Sequence, residues 1–503
     1  MIANIFKTAI YHHSKKNFLK AKEIYETLLQ TNPNNINILQ NYAALLSQIK
    51  EYKKADDVFK KCLKIKPNDP LILYNYGKLF HDQNIFDKAI ELYKKSFSID
   101  SKNDVSLYNL GNIYFSLKKF DQSIEYFKKA IEINPQNFLA YNNLGLSYKY
   151  KGNFELAEKF YQKSIEQNSN FIEAHLNYST ILLTLKKFDN GFKEYEWRKK
   201  SKIFSDYLNY SDLKIKTPIW EGEDLKKKKI LILAEQGIGD LFQFSRYLFK
   251  LKEEFQSQVI LRLKHNLSHV FNKKEIHVIS EKDDIPKHDF HNHLVSLPGI
   301  FYKKEKSFPG NNNFIQFDKK KLEKWKNFFN SFSGLKVGIN ADSTIRPGAT
   351  GQLQRMIPFE EFNALTELKD INFFIIQKDF NKEKLNIINK NSNVNYFDKL
   401  DKTGKPFEDT INIIKNLDLI ITADTSVAHL SATLEKKTWI VLPLICDWRW
   451  FLRDEKSIWY KNVSLYRQKK DGNWEEIFKS IKEDLLFELE ENKNQTLDKK
   501  KGQ

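Results

Sequence analysis

The pattern of apolar and polar positions changes its period once, near residue 205. Before that point small residues recur every 34 positions, at Ala21, Ala55, Ala89, Ser123 and Ala157, each followed four residues later by an aromatic: Tyr25, Phe59, Tyr93, Phe127 and Tyr161. Gly77, Gly111 and Gly145 keep the same period, and Pro33, Pro67 and Pro135 close their blocks in phase. Small residues mark close helix approach, the aromatic fills the space beside them, and proline cannot continue a helix. Each block therefore predicts two helices. Six blocks span residues 2–205, and because one pair cannot bury its apolar face alone, the pairs stack into a solenoid with a concave groove. The sixth block carries Gly191 in the alanine position and runs on into "EYEWR", which reads as a cap.

After the change, short apolar runs alternate with helical patterns: "KILILA", "SQVILRL" and "IHVIS", then "LKVGIN", "INFFIIQ", "LDLIITA" and "TWIVLP". Strands alternating with helices predict parallel sheets covered on both faces. The polar stretch 299–314 and the helix "KKKLEKWKNFFNSF" separate two such sets. The expected fold class is α plus α/β: repeats over 2–205, two Rossmann-like domains over 206–333 and 334–480 facing each other across a cleft, and a polar tail over 481–503 whose end, "ENKNQTLDKKKGQ", is expected to be disordered.

Composition narrows the class. The net charge of +18 suggests an anionic partner, yet lysines and acids intermingle along the helices instead of forming the single basic stripe that nucleic-acid binding requires. Specific nucleic-acid binding is not expected; weak contact with an anionic membrane surface is compatible. The two cysteines, Cys62 and Cys446, fall in different predicted domains, so no disulfide is expected and the cytoplasm is the expected compartment. The opening "MIANIFKTAIYHHSKK" lacks the pattern of a secretion signal, and no apolar run is long enough to span a bilayer.

Two loops carry candidate chemistry. In "AEQGIGDLFQFSRY", Ala234 to Tyr247, a glycine loop between strand and helix ends on Asp240, and Phe242 replaces the third glycine of a dinucleotide fingerprint. Asp240 fits two roles: an N-cap closing a capping box with Gln243, or a carboxylate at the mouth of a sheet that takes a proton from a hydroxyl. In "LDLIITADTSVAHLSATL", residues 417–434, the strand runs into Asp424, Thr425 and Ser426 before a helix. Hydroxyls, free N–H groups and the positive end of a helix dipole suit a phosphate there. His429, one turn on, faces the same way, and an Asp424 N-cap with a core histidine is the plainer alternative. The histidines of "DFHNHL" lack metal-ligand spacing, and no metal is expected. Trp448, Trp450 and Trp459 interleave with Arg449, Arg453 and Arg467, a composition suited to sealing a junction or stacking on a ligand.

In order along the chain, the repeats, "AEQGIGDLFQFSRY", "FHNHLVSLPGIF", "DTSVAHLSATL" and "DWRWFLRDEKSIWY" resemble tetratricopeptide-repeat proteins with a heptosyltransferase-like glycosyltransferase domain of the two-Rossmann (GT-B) type. The resemblance implies an inverting, metal-independent transferase that needs no cofactor and uses a nucleotide sugar as donor. It implies that Gln236, Gly237, Gly239 and Asp240 lie by the acceptor, with Asp240 the general base. Asp424, Thr425, Ser426 and His429 would line the donor diphosphate site, with Arg355 offsetting its charge. The chain departs from the family at Asn340-Ala341-Asp342-Ser343 and at Glu435, where a glycine is usual. Asn41, Asn75, Asn109, Asn143 and Asn177 share one position of the repeat, and this ladder resembles that of nucleocytoplasmic O-GlcNAc transferases, whose amides hold a peptide backbone. The alternative to an enzyme is a non-catalytic adaptor whose repeats bind protein and whose transferase fold has decayed.

Overall fold

The computed structural model describes every residue except 1, 209–212, 214, 273, 311–312, 342–354, 379, 381–382, 384–392, 403 and 502–503, and the side chains of 495–501. The chain divides into two compact units, 1–178 and 179–503.

Helix pairs follow the 34-residue pattern. They are α1 (Ile2–Ser14) with α2 (Phe18–Thr31), α3 (Ile36–Gln48) with α4 (Tyr52–Ile65), and α5 (Pro70–Asp82) with α6 (Phe86–Ile99). Next come α7 (Asp104–Ser116) with α8 (Phe120–Ile133), α9 (Phe138–Tyr150) with α10 (Phe154–Gln167), and α11 (Ile172–Thr184) with α12 (Phe188–Tyr195). The division between the units falls inside α11. All five periodic aromatics are fully buried, a burial worth roughly 1.5–3 kcal/mol per side chain. A methyl at Gly111 would stand 2.6 Å from the Phe127 ring, which explains the glycine there. Asn35, Asp69, Asn103 and Asn137 cap the N-termini of α3, α5, α7 and α9 by accepting from backbone N–H groups. Each first helix stops at a left-handed residue: Lys16, Lys50, Asn84, Lys118, Gly152 and Lys186, with φ between 56° and 77°. Only one of these six is the glycine that such a turn favours.

The second unit begins with the end of α11, then α12 and α13 (Lys202–Leu208), and holds two parallel sheets. The first contains β1 (Lys229–Leu233), β2 (Gln258–Leu263), β3 (His277–Ser280) and β4 (Phe290–His293), in the order β3-β2-β1-β4. Around it run α14 (Ile238–Phe244), α15 (Arg246–Phe255) and α16 (Leu297–Glu305), and α17 (Lys319–Phe329) leads to the second sheet. That sheet contains β5 (Leu335–Asn340), β6 (Ile371–Ile375), β7 (Val394–Tyr396), β8 (Leu419–Ala423), β9 (Thr438–Leu442) and β10 (Val463–Arg467). Its order is β10-β9-β8-β5-β6-β7, so the chain winds outward from β5, returns, and winds the other way from β8. The strand directions reverse their winding between β5 and β8, the place where ligands enter open parallel sheets.

Three helices complete this half: α18 (Asn363–Thr366), α19 (Glu408–Asn416) and α20 (Ser426–Thr433); α21 (Glu475–Lys501) ends the chain. Alternate strand residues feed two cores: Phe374, Ile420 and Ile440 on one face, Phe373, Ile421 and Val441 on the other. Residues 491–501, expected to be disordered, instead continue α21. Its Ile477, Phe478, Ile481, Leu485 and Leu489 form a helical stripe that packs on the second of these cores, so the polar residues beyond continue an anchored helix. Strands β4, β7 and β10 were not legible as strands: β4 hides in the polar "FHNH", and β7 is three residues long.

Candidate functional site

Asp240 does not cap its helix from the front. Gly237 occupies the N-cap, and Asp240 sits in the first turn with Oδ2 accepting from the Gly237 N–H at 3.0 Å. Gln243 is fully buried and takes no part in this cap, so the expected pairing of Asp240 with Gln243 is replaced by one with Gly237. The loop is braced from behind. Gln236 adopts a left-handed conformation (φ 64°) while its amide meets the Tyr195 hydroxyl. Glu235, buried at its side chain, takes a two-pronged contact from Arg198, whose Nη2 also donates to Ser296. Burial pushes the Glu235 carboxyl up, and Arg198 opposes that shift.

The second loop follows β8. Thr425, not Asp424, is the N-cap of α20: its Oγ1 accepts from the Val427 N–H at 3.2 Å and donates to Asn340 Oδ1 at 3.1 Å. Asn340 ends β5, so this contact spans the point where the winding reverses. Thr425 and Ser426 are half-buried at the start of the helix. Asp424 is 5% exposed; burial raises its carboxyl pKa and Arg355 offsets part of the rise. His429 is equally buried, stacks on the Trp450 ring at 5.2 Å, and its Nδ1 meets the Tyr460 hydroxyl at 3.1 Å. Burial, reinforced by Arg449, lowers its pKa to about 3, so the imidazole is neutral across the physiological range.

The two loops meet. A methyl on Gly239 would stand 2.9 Å from His429 Cδ2, so α14 and α20 touch where that glycine lies. An alternating chain of charges links their acids. Arg449 Nη2 pairs with Asp240 Oδ1, and Arg449 Nη1 donates to Asp447 Oδ1 at 2.8 Å. Arg355 Nη2 donates to Asp447 Oδ2 at 2.8 Å, and its Nη1 lies 3.4 Å from Asp424. Burial would raise the Asp447 carboxyl, but Arg449 and Arg355 outweigh it and hold the group well below the usual carboxylate range.

Arg449 and Asp447 are the site residues that sequence reasoning missed as such. Arg449 stood out only as part of an aromatic and arginine block, and nothing local points to a partner 209 residues away. The tryptophans of that block, Trp448, Trp450 and Trp459, are all buried in the core behind the site. A cavity of mixed polar and apolar lining, including His269, Phe317, Asp318, Lys405, Glu408 and Ile411, shares no residue with this cluster.

Among the remaining expectations, Asp342 and Ser343 lie outside the described residues. Glu435 takes the left-handed turn after α20 at φ 59°, the conformation for which a glycine is suited. His291 and His293 lie on β4, where His291 Nδ1 meets Thr217 Oγ1, and among the described residues no group of three or more His, Cys, Asp and Glu is placed to hold a metal.

In the asparagine ladder, Asn109 Nδ2 donates to the Tyr74 hydroxyl and the Val105 carbonyl, and Asn143 Nδ2 donates to the Tyr108 hydroxyl and Asn112 Oδ1. Asn177 Nδ2 donates to Asn142 Oδ1. These contacts fasten each repeat to the one before it. Asn109 and Asn143 use both amide protons within the solenoid, and Asn143 Oδ1 also accepts from Asn142 Nδ2 at 2.9 Å, so the amide of Asn143 is engaged at both ends. Asn41 bonds back to the Asn37 carbonyl, and Asn75 is half-buried.

Comparison with known proteins speaks for the repeats. Family models described as tetratricopeptide repeat match residues 13–79, 105–137 and 138–171, and one described as TPR repeat matches 77–117. The chain carries tetratricopeptide repeats. No curated protein matches it. Among solved structures, MamA protein is 24% identical, with 34% of this chain and 92% of that one covered and a TM-score of 0.30. The pilF protein of Pseudomonas aeruginosa is 17% identical over 42% of this chain and 95% of that one, with a TM-score of 0.37. YrrB, described as a TPR protein with an unusual peptide-binding site, is 18% identical over 35% and 91%, with a TM-score of 0.29.

Proposed function

We propose that the chain is an inverting glycosyltransferase of the two-Rossmann (GT-B) type that needs no metal and moves a sugar from a nucleotide-sugar donor to an acceptor hydroxyl. The observation that supports it is the meeting of Asp240 with the Asp424-Thr425-Ser426 loop, each beyond the carboxyl end of a parallel strand and joined through Arg449, Asp447 and Arg355. In this reading the donor diphosphate rests on the N–H groups at the start of α20, with Thr425, Ser426 and Arg355 around it. The acceptor hydroxyl gives its proton to Asp240 and its oxygen attacks the anomeric carbon from the face opposite the diphosphate. The bond from that carbon to the phosphate oxygen breaks, and the nucleoside diphosphate leaves with the electron pair. Helix donors and Arg355 stabilise the charge that develops on it, as a metal would elsewhere. His429 packs the floor of this site as a neutral ring. The repeats present the acceptor or its carrier, a protein or peptide, and two free cysteines suit a reducing, cytoplasmic setting.

A second reading, a tetratricopeptide adaptor without catalysis, draws on two observations: both Asp240 oxygens are already engaged, and the first strand of the second sheet ends in Asn340. Calorimetric titration with a panel of nucleotide sugars separates the two. Binding, followed by sugar transfer that falls at least about a hundredfold in Asp240→Asn, is expected of the enzyme. Absence of binding by the wild-type chain would leave the adaptor. Binding with undiminished transfer by Asp240→Asn would remove only the assignment of the base.

A further inference from the structure

We propose that Arg449 is the positioning residue of the transfer: it fixes the Asp240 carboxylate from across the junction of the two sheets, so that the acid's free lone pairs face the acceptor. The inference rests on the transferase reading. Three observations carry it. Arg449 is 7% exposed, and its guanidinium packs against two aromatic rings that lie on adjacent sides of it, 4.5 Å from the Trp448 centroid and 5.4 Å from that of Phe244. Its main chain is pinned too, since Trp459 Nε1 donates to the Arg449 carbonyl at 2.8 Å and the Arg449 N–H donates to Asp447 at 3.1 Å. Finally, its two arms are divided: Nη1 is held by Asp447 from its own loop, and Nη2 reaches Asp240 on the other sheet's helix.

Among the described residues Asp240 otherwise has one anchor, the Gly237 N–H on Oδ2, about which the carboxylate can turn. The second contact, on Oδ1, removes that freedom. Each oxygen keeps an unshared pair for a proton. A buried ion pair contributes little net stability because desolvation offsets attraction, whereas its geometry defines orientation sharply. A misplacement of about 1 Å in a reacting group costs on the order of a hundredfold in rate. A rigid fork that reaches two carboxylates at once suits arginine and not lysine.

The experiment is a double-mutant cycle on the full chain. Release of nucleoside diphosphate from a panel of nucleotide sugars is followed with water as acceptor, for wild type, Arg449→Gln, Asp240→Asn and the double variant. Arg449→Gln is expected to lower kcat by roughly tenfold to a hundredfold while KM for the donor stays within about threefold. The double variant is expected to be no slower than Asp240→Asn alone, because Arg449 acts through that carboxylate. Should Arg449→Gln fail to fold, Arg449→Lys, which keeps the charge and loses the fork, carries the same cycle. Losses that multiply in the double variant, or a kcat equal to wild type in either Arg449 variant, overturn the inference and leave the transferase reading standing. A wild-type protein that neither binds nor hydrolyses any donor overturns that reading and this inference with it.

Discussion

Burial, at the scale of single residues, decides chemistry that residue type leaves open. His429 stands one helical turn from a phosphate-suited loop, and its type allows a cation there. In the fold it is enclosed between Trp450 and Tyr460, and its pKa falls to about 3. Between about 3 and the ordinary 6.5 the unfolded chain holds a proton on this ring and the folded chain does not. Stability therefore falls as pH drops below 6.5, by up to about 1.4 kcal/mol per unit from this group, and the loss is complete near the folded value. Urea midpoints measured from pH 7 to pH 4 should fall less steeply in His429→Gln than in wild type; parallel curves would show that the ring titrates normally when folded.

Among secondary elements, the repeats show how far a local pattern reaches. The 34-residue period of small and aromatic residues was legible because helix packing depends on side chains a few positions apart. Where each first helix stops was less so: five of the six left-handed turn positions carry Lys or Asn, and Lys has no turn signal of its own. Exposed Lys118, at φ 56°, offers a test. Lys118→Gly is expected to stabilise the solenoid by some tenths to about 1 kcal/mol, since relief of the left-handed strain exceeds the added flexibility of the unfolded chain. Gly111→Ala is expected to destabilise it by about 1–3 kcal/mol, because the methyl meets Phe127. Thermal unfolding of the two variants checks both signs. The same limit explains Asp240. A carboxylate in the first turn and one at the N-cap produce nearly the same sequence signature, and only the backbone path places Gly237 at the cap.

For the whole molecule, the candidate site lies entirely within residues 179–503, whereas the matching family models lie within residues 13–171. A fragment 179–503 is therefore expected to bind a nucleotide sugar with the Kd of the full chain, within about threefold, in a calorimetric titration; loss of binding would mean that the repeats complete the donor site. The sequence alone determined the helical repeats, most strands of both parallel sheets and the two loops that matter. Those features follow from periodicity and from strand-to-helix punctuation, which are local. Tertiary structure decided what the loops do to each other. The contacts Arg449 to Asp240 and Arg355 to Asp447 join residues 209 and 92 positions apart, and no local rule encodes a partner at such distance. It also decided which groups keep their charge, because desolvation and the nearest counter-ion are properties of the packed interior and not of the chain.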